Sequence, residues 1–182
     1  MATQNPNLMS KAAMTTMAST SGSGKLLMHE VLTKVNNAKD KPKKIAVLKE
    51  NDTPGLRRII KGSFDPNITW DLPEGSPPFI ANEAPEGTEH SLLENESKKF
   101  WHFVTGADVA TSKTRKETMF VQILEALSKG EAEVSIAMKD KELHKKYKGL
   151  SQAVVKEAFN WNDEYKTPET QARGSTSGAL SQ

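Results

Sequence analysis

Lys139, Lys141, Lys145, Lys146 and Lys148 crowd into the stretch KDKELHKKYKGL, opposed there only by Asp140 and Glu142, and Gly149 follows at once. Ammonium groups at a helix end, a glycine turn and the first amides of a following helix suit phosphate oxygens. The leading N–H groups of a helix have no intrahelical acceptor, and the helix dipole favours an anion there. Contacts of this kind fix the position of a nucleic-acid backbone without reading its sequence, and they weaken steeply with salt. The same composition suits an ordinary solvated surface on a helical hairpin, and both readings stand at this point. Other bases group as Lys39, Lys41, Lys43 and Lys44, as Arg57, Arg58 and Lys61, and as Lys113, Arg115 and Lys116. Between Ser63 and Ser97, by contrast, eight acidic residues occur without a single Lys or Arg, which would give the folded chain one basic and one acidic face.

Residues for covalent chemistry are sparse. The chain has no cysteine, which excludes disulfides, thiolate nucleophiles and the common zinc sites. His29, His90, His102 and His144 fall on different segments without ligand spacing. SGSGKLL at 21–27 has the look of a phosphate loop. However, it lacks a first glycine at the required distance, carries Leu26 where a Ser or Thr would hold magnesium, and has no strand before it. No carboxylate sits in an apolar context that would raise its pKa for general acid work, and no G-x-S-x-G elbow is present. The expectation is a non-enzymatic protein with no cofactor and no metal. Among the tryptophans, Trp101 is expected in the core. Trp161 and Tyr165, beside Lys166, are expected as an exposed aromatic contact.

Helices must position the lysines. Leu26, Leu27, Val31 and Val35 recur at helical spacing. Ile45, Val47 and Leu48 follow Pro42, and Thr53-Pro54 opens a third helix with Leu56, Ile59 and Ile60 on one face and Gly62 at its end. S-L-L-E at 91 and T-R-K-E at 114 have the form of capping boxes. The first leads into Leu92, Leu93, Phe100, Phe103 and Val104 before Gly106. The second precedes the clearest stripe in the chain, Met119, Phe120, Ile123, Leu124 and Leu127. Gly130 breaks that run. Glu131 to Lys139 then reads as a helix, with its β-branched residues leaving a short strand open. Ser151 caps a last helix bearing Val154, Val155, Ala158 and Phe159.

The segment 65–90 interrupts this order. It holds five of the nine prolines with no sustained period, yet Phe64, Ile68, Trp70, Leu72, Phe79 and Ile80 offer anchors, so it is expected to be an ordered acidic loop. The expectation is therefore all-α: a single helical domain over 25–166 with about six to seven short helices, a proline-rich loop over 65–90, and disordered tails over 1–24 and 167–182. At 182 residues the chain suits one domain. Its apolar runs are too short for a signal peptide or a membrane span, so no membrane partner is expected.

LPEGSPPF at 72–79, NEAPEGTEH at 82–90, ETMFVQILEAL at 117–127 and KYKGLSQAVVKEAF at 146–159 resemble a family of small uncharacterised proteins of T-even-like tailed phages, including marine cyanophages. The order LLMHEVL, KPKKIAVLKEND, LRRII, RKETMFVQILEALSKGEAEVSIAMK and KYKGL is similar, more weakly, to the helical N-terminal DNA-binding domain of phage ATP-dependent DNA ligases. That second likeness implies duplex or nicked DNA held by its backbone at Gly130, Ser135, Lys139 and the Gly149 turn. It does not imply ligation, because no K-x-D-G motif is present. The expected DNA contacts are thus Lys139, Lys141, Lys145, Lys146, Lys148, Gly149, Ser135, Arg115 and Lys116. The implied role is that of a phage accessory protein in replication, repair or transcription, acting with phage proteins in the host cytoplasm. The alternative is a virion or protein-interaction role carried by the acidic proline-rich loop and the tails.

Overall fold

The computed structural model describes residues 25–85 and 91–168; all but Thr167 and Pro168 of the expected tails lie outside them, as does the end of the proline-rich segment. The fold is all-α. Among the described residues there are eight α-helices, one 3-10 helix and two isolated β-bridges.

Local chemistry explains each helix start in the first half. α1 (Met28–Asn37) buries Met28, Val31, Leu32 and Val35 along one face. α2 (Lys41–Glu50) starts where Asp40 accepts a bond from the Lys43 amide and Pro42 fills the first turn. α3 (Pro54–Phe64) is capped by Thr53, whose Oγ1 accepts from the Leu56 amide at 3.1 Å. It runs past Gly62 instead of ending there. A Cβ at Gly62 would lie 2.7 Å from the Trp70 ring and 2.9 Å from the Met138 sulfur, so glycine serves packing and not termination.

Both expected capping boxes are displaced. α4 (Leu93–Glu96) has Leu92 at its N-cap, and Glu94 reaches across to α3, accepting from Thr53 Oγ1 at 2.6 Å and from the Gly55 amide at 3.1 Å. α5 (Lys113–Ala126) is capped by Ser112, two residues ahead of Thr114. Its predicted stripe does face inward, with Phe120, Ile123, Leu124 and Leu127 buried. The chain then breaks at Leu127 and Ser128, and α6 (Lys129–Lys139) begins before Gly130. A Cβ at Gly130 would lie 2.5 Å from the His29 ring, so the missing side chain lets α1 approach the first turn of α6. The strand alternative for 131–139 is not adopted.

Between α4 and α5, Ser97–Phe103 forms a 3-10 helix. Three residues per turn line up Ser97, Phe100 and Phe103 on the buried side. Trp101, expected in the core, is therefore turned outward and is 52% exposed, stacked on His102. The rings of Phe100 and Phe103 pack with Phe120 at 6.4 and 5.5 Å.

α6 is the centre of the fold, packing against α1, α3, α4, α5 and α7 (Leu143–Lys146). Glu131, in its first turn, is buried and accepts from the Met28 amide at 3.2 Å and the Leu93 amide at 2.9 Å, so one carboxylate meets the leading amides of α1 and α4 together. α8 (Gln152–Phe159) is capped by Ser151 and packs on α2 and α3. Beyond it, Trp161 folds back onto Phe159 with ring centroids 4.7 Å apart, and Tyr165 is only 3% exposed. The expected exposed aromatic pair is instead part of the packing, because Asn160 in the left-handed region turns the chain back on itself.

The described part of the proline-rich segment is ordered, as expected, and its ties are specific. Trp70 Nε1 donates to Gly62 O at 3.1 Å, and the Asp71 amide donates to Phe103 O at 2.7 Å. Ile80, expected as an anchor, is 82% exposed; its amide, not its side chain, makes the contact, donating to Glu125.

Candidate nucleic-acid interface

The nine residues expected to meet DNA divide by burial. Lys139 is buried, and its Nζ donates to Pro73 O at 2.7 Å, to Gly75 O at 2.9 Å and to the Asp140 carboxylate. An ammonium has three protons, and these acceptors take all of them. Lys116 is buried against Asp71 at 2.9 Å, where its ammonium, with Lys113 farther off, holds the Asp71 carboxyl below its ordinary range. Ser135 is fully buried inside α6 and donates to Glu131 O at 3.0 Å. These three are buried within the fold, out of reach of a phosphate, which corrects the expectation for each. Tertiary burial decided their role, and neither spacing nor residue type signals it.

The other six are reachable in different degrees. Arg115 is exposed on the first turn of α5, away from the lysine segment in sequence and structure alike. Lys145 and Lys146 are exposed and hold Glu142 at 2.7 Å and Glu133 at 2.6 Å. Surface pairs of this kind contribute about 0–1 kcal/mol, so a phosphate can displace them at little cost. Lys148 is exposed and makes no ion pair among the described residues. The Gly149 amide donates to Asn36 Oδ1 at 3.1 Å, and a Cβ there would lie 2.8 Å from Val35 O. Gly149 therefore seats the turn on the end of α1 and is not itself a contact.

Lys141 is half-buried and lies in the left-handed region at φ 60°, a conformation that costs a side-chain-bearing residue about 1–3 kcal/mol. Its Nζ donates to Gly62 O and Asp65 O, both at 2.8 Å, which places the ammonium over the last turn of α3. Burial pushes its pKa down, and Asp65 opposes that only in part.

Between the end of α3, Lys141 and the start of α8 lies a hollow of about 400 Å³, with His144 and Lys148 on its rim and Ser63, Ser151 and Gln152 in its wall. No carboxylate lines it. The Ser151 side chain accepts from the Val154 amide at 3.4 Å, which leaves the preceding amides of α8 as the helix's open donors. Ser63 is 7% exposed, and its hydroxyl has no hydrogen-bond partner. A larger hollow of about 640 Å³ runs between Pro73–Pro78 and α5. The one lysine lining it is Lys139, whose protons are spent, and Glu117 and Glu125 face it too, so it is unsuited to an anion.

A family model matches residues 31–145. The chain belongs to DUF6433, a family of unknown function. No curated protein and no solved structure matches it. The DUF6433 match takes in Ser63, Lys141, His144 and Lys145, whereas Lys146, Lys148, Gly149 and α8 follow it in the chain. Among the described residues of this DUF6433 chain, no group of three or more His, Asp or Glu side chains is placed to hold a metal ion, and no helix is long and apolar enough to cross a membrane.

One polar pair in this DUF6433 chain has no sequence signal. His102 Nδ1 meets Asp108 Oδ2 at 2.6 Å, and the other Asp108 oxygen accepts from the Ala110 and Thr111 amides. The His102 bond, with that of Thr111, holds the Asp108 carboxyl well below its ordinary value of 3.8. A depressed carboxyl stabilises the fold above the unfolded pKa and loses that contribution as pH falls toward the folded one. Asp108→Asn is therefore expected to lower the denaturant midpoint at neutral pH, with the two proteins converging as pH drops below about 4. Parallel midpoints across that range would refute the assignment.

Proposed function

We propose that this protein is a phage accessory protein that binds duplex or nicked DNA without catalysis, through the phosphate backbone, in replication, repair or transcription. The observation that carries the reading is the run of exposed lysines from α7 to the start of α8: Lys148 lies on a hollow with no carboxylate beside the opening amides of α8, and Lys145 and Lys146 line a neighbouring hollow where Glu133, Asp140 and Glu142 also stand. Exposed ammonium groups on a short helix and turn reach phosphates along a strand, and the α8 N-terminus adds neutral donors with a favourable dipole. The likeness to phage proteins and to the ligase DNA-binding domain supports the same setting. Arg115 lies outside this edge and is not included.

Binding to duplex or nicked DNA is expected to weaken as salt rises, with a slope set by the few phosphates contacted. Lys145→Glu with Lys146→Glu is expected to lower affinity by about tenfold or more and to flatten that slope, read by fluorescence anisotropy at several salt concentrations. Unchanged binding in the double variant, or no salt-sensitive binding by the parent protein, would sink the reading. The virion or protein-interaction alternative draws on the proline-rich segment, where Ile80 stands 82% exposed on an ordered loop. Mass spectrometry of purified particles separates the two, since abundance in the virion favours the alternative.

A further inference from the structure

The hollow between the proline-rich segment and α5 suits a ligand of the opposite charge from the one expected at the lysines. Leu72, Phe120, Val121 and the rings of Pro73, Pro77 and Pro78 line it, and Glu74, Glu117 and Glu125 stand among them. Its volume of about 640 Å³ falls in the range of ligand clefts, about 300–1,000 Å³. On the helix side the lining runs from Thr114 to Glu125, about 16 Å along the axis. That length holds about five residues of extended chain.

The walls are held in place from both ends. Lys139 fastens the loop through Pro73 O and Gly75 O, the Gly75 amide donates to Asp140, and the Ile80 amide ties the far end to Glu125. A groove already held open loses little freedom on binding. At that second tie the Ile80 side chain is left exposed, an apolar group in water beside a groove carboxylate. The charge is one-sided. Glu74 and Glu117 are exposed and form no ion pair among the described residues, and Glu125 uses only Oε1, on the Ile80 amide. The lone base in the lining, Lys139, is matched by Asp140 and two carbonyls, and the loop itself contains no Lys or Arg. Pro73, Pro77 and Pro78 carry no N–H, which leaves the loop few amides for a partner's backbone and gives recognition to side chains.

We infer that this groove is a docking site for an extended segment of another protein in which bulky apolar side chains alternate with lysine or arginine. The apolar side chains seat against Leu72, Phe120 and Val121, and the bases meet Glu74, Glu117 and Glu125. Nucleic acid has the same sign as these carboxylates and is repelled. The chain's own residues 1–24 and 169–182 hold one base each, Lys11 and Arg173, and match the groove's charge poorly. The inference does not rest on DNA binding; it gives the protein-interaction alternative a site and a partner chemistry.

The probe is a short, acetylated and amidated peptide of alternating lysine and leucine, titrated into the full-length protein and followed by amide NMR shifts and calorimetry. Saturable shifts are expected at Gly75, Thr118, Val121 and Gln122, with affinity falling as salt rises. Serine in place of leucine, and glutamate in place of lysine, should each lower affinity by about tenfold or more. Glu74→Lys with Glu117→Lys should weaken the lysine–leucine peptide to a similar degree, while the melting temperature holds and DNA binding is not reduced. Thr118→Trp, which fills the groove from an exposed position, should block the peptide without reversing any charge.

No saturable shifts, shifts away from the groove, or binding untouched by both the double variant and Thr118→Trp overturns the inference. Equal binding by a peptide with the sequence of residues 1–24 assigns the groove to the chain's own tail. Groove shifts that grow with protein concentration in the absence of peptide assign it to a second copy. Either result overturns the partner assignment. If the parent protein takes the peptide and binds no DNA, the DNA reading falls and this one stands; DNA binding without peptide binding has the opposite meaning.

Discussion

Replacing Glu131 with alanine is expected to destabilise the fold by about 3–5 kcal/mol, a large part of the 5–15 kcal/mol that typically separates folded from unfolded domains. The carboxylate is buried and accepts from the Met28 and Leu93 amides, which open α1 and α4. Alanine would leave both donors away from water with no acceptor, at about 1–3 kcal/mol each, and would open space at the meeting of three helices. Glu131→Gln keeps a single acceptor oxygen and points an amide at one of the two N–H groups, so its cost should fall between wild type and alanine. Urea unfolding with and without each substitution measures the difference. A loss under about 1 kcal/mol for alanine would show that the two amides find other acceptors and that the carboxylate does not join these helices.

The second large effect is expected at Lys139. Lys139→Met preserves length and apolar contact but removes the ammonium shared by Pro73 O, Gly75 O and Asp140, leaving the carboxylate without its buried partner. The expected cost is about 3 kcal/mol. It should be concentrated locally. The Gly75 amide, which donates to Asp140 Oδ2 at 3.1 Å, should exchange hydrogen faster, and the proline-rich segment should open before the rest of the domain. DNA binding measured below the melting point should be unchanged, in contrast to the Lys145 and Lys146 double variant. Equal loss of DNA binding in both would return Lys139 to the contact surface.

These two residues show where sequence reading succeeds and where it stops. Thr53-Pro54, the α5 stripe and the Ser151 cap were legible because their partners lie within one helical turn, where spacing and rotamer reach decide the outcome. Trp101 faces outward because the backbone takes three residues per turn there, where a 3.6-residue period would turn it toward the core. Lys139 and Lys148 are nine residues apart in one basic run, yet one is buried on carbonyls and the other is exposed. No local pattern separates them, since two of the three acceptors of Lys139 come from a loop 64–66 residues earlier. The same holds for the hollow: Ser63, Lys141 and Gln152 line it together because α3 packs on both α6 and α8, and only Ser151 announces its part through local chemistry.

Glu131 reaches its partner on α1 across 103 residues, and α8 closes against α2 from near the other end of the described chain. During synthesis, then, the helices made first wait longest. α1 and α2 emerge from the ribosome about a hundred residues before the carboxylate and the helix face that complete their packing, so until then each has only the other and α3 to cover its apolar stripe. Such distant pairings slow folding and extend the period of exposed apolar surface. A nascent chain halted before Gln152 would carry α2 covered by α1 alone, so the last helix closes a face that the first two leave open between them.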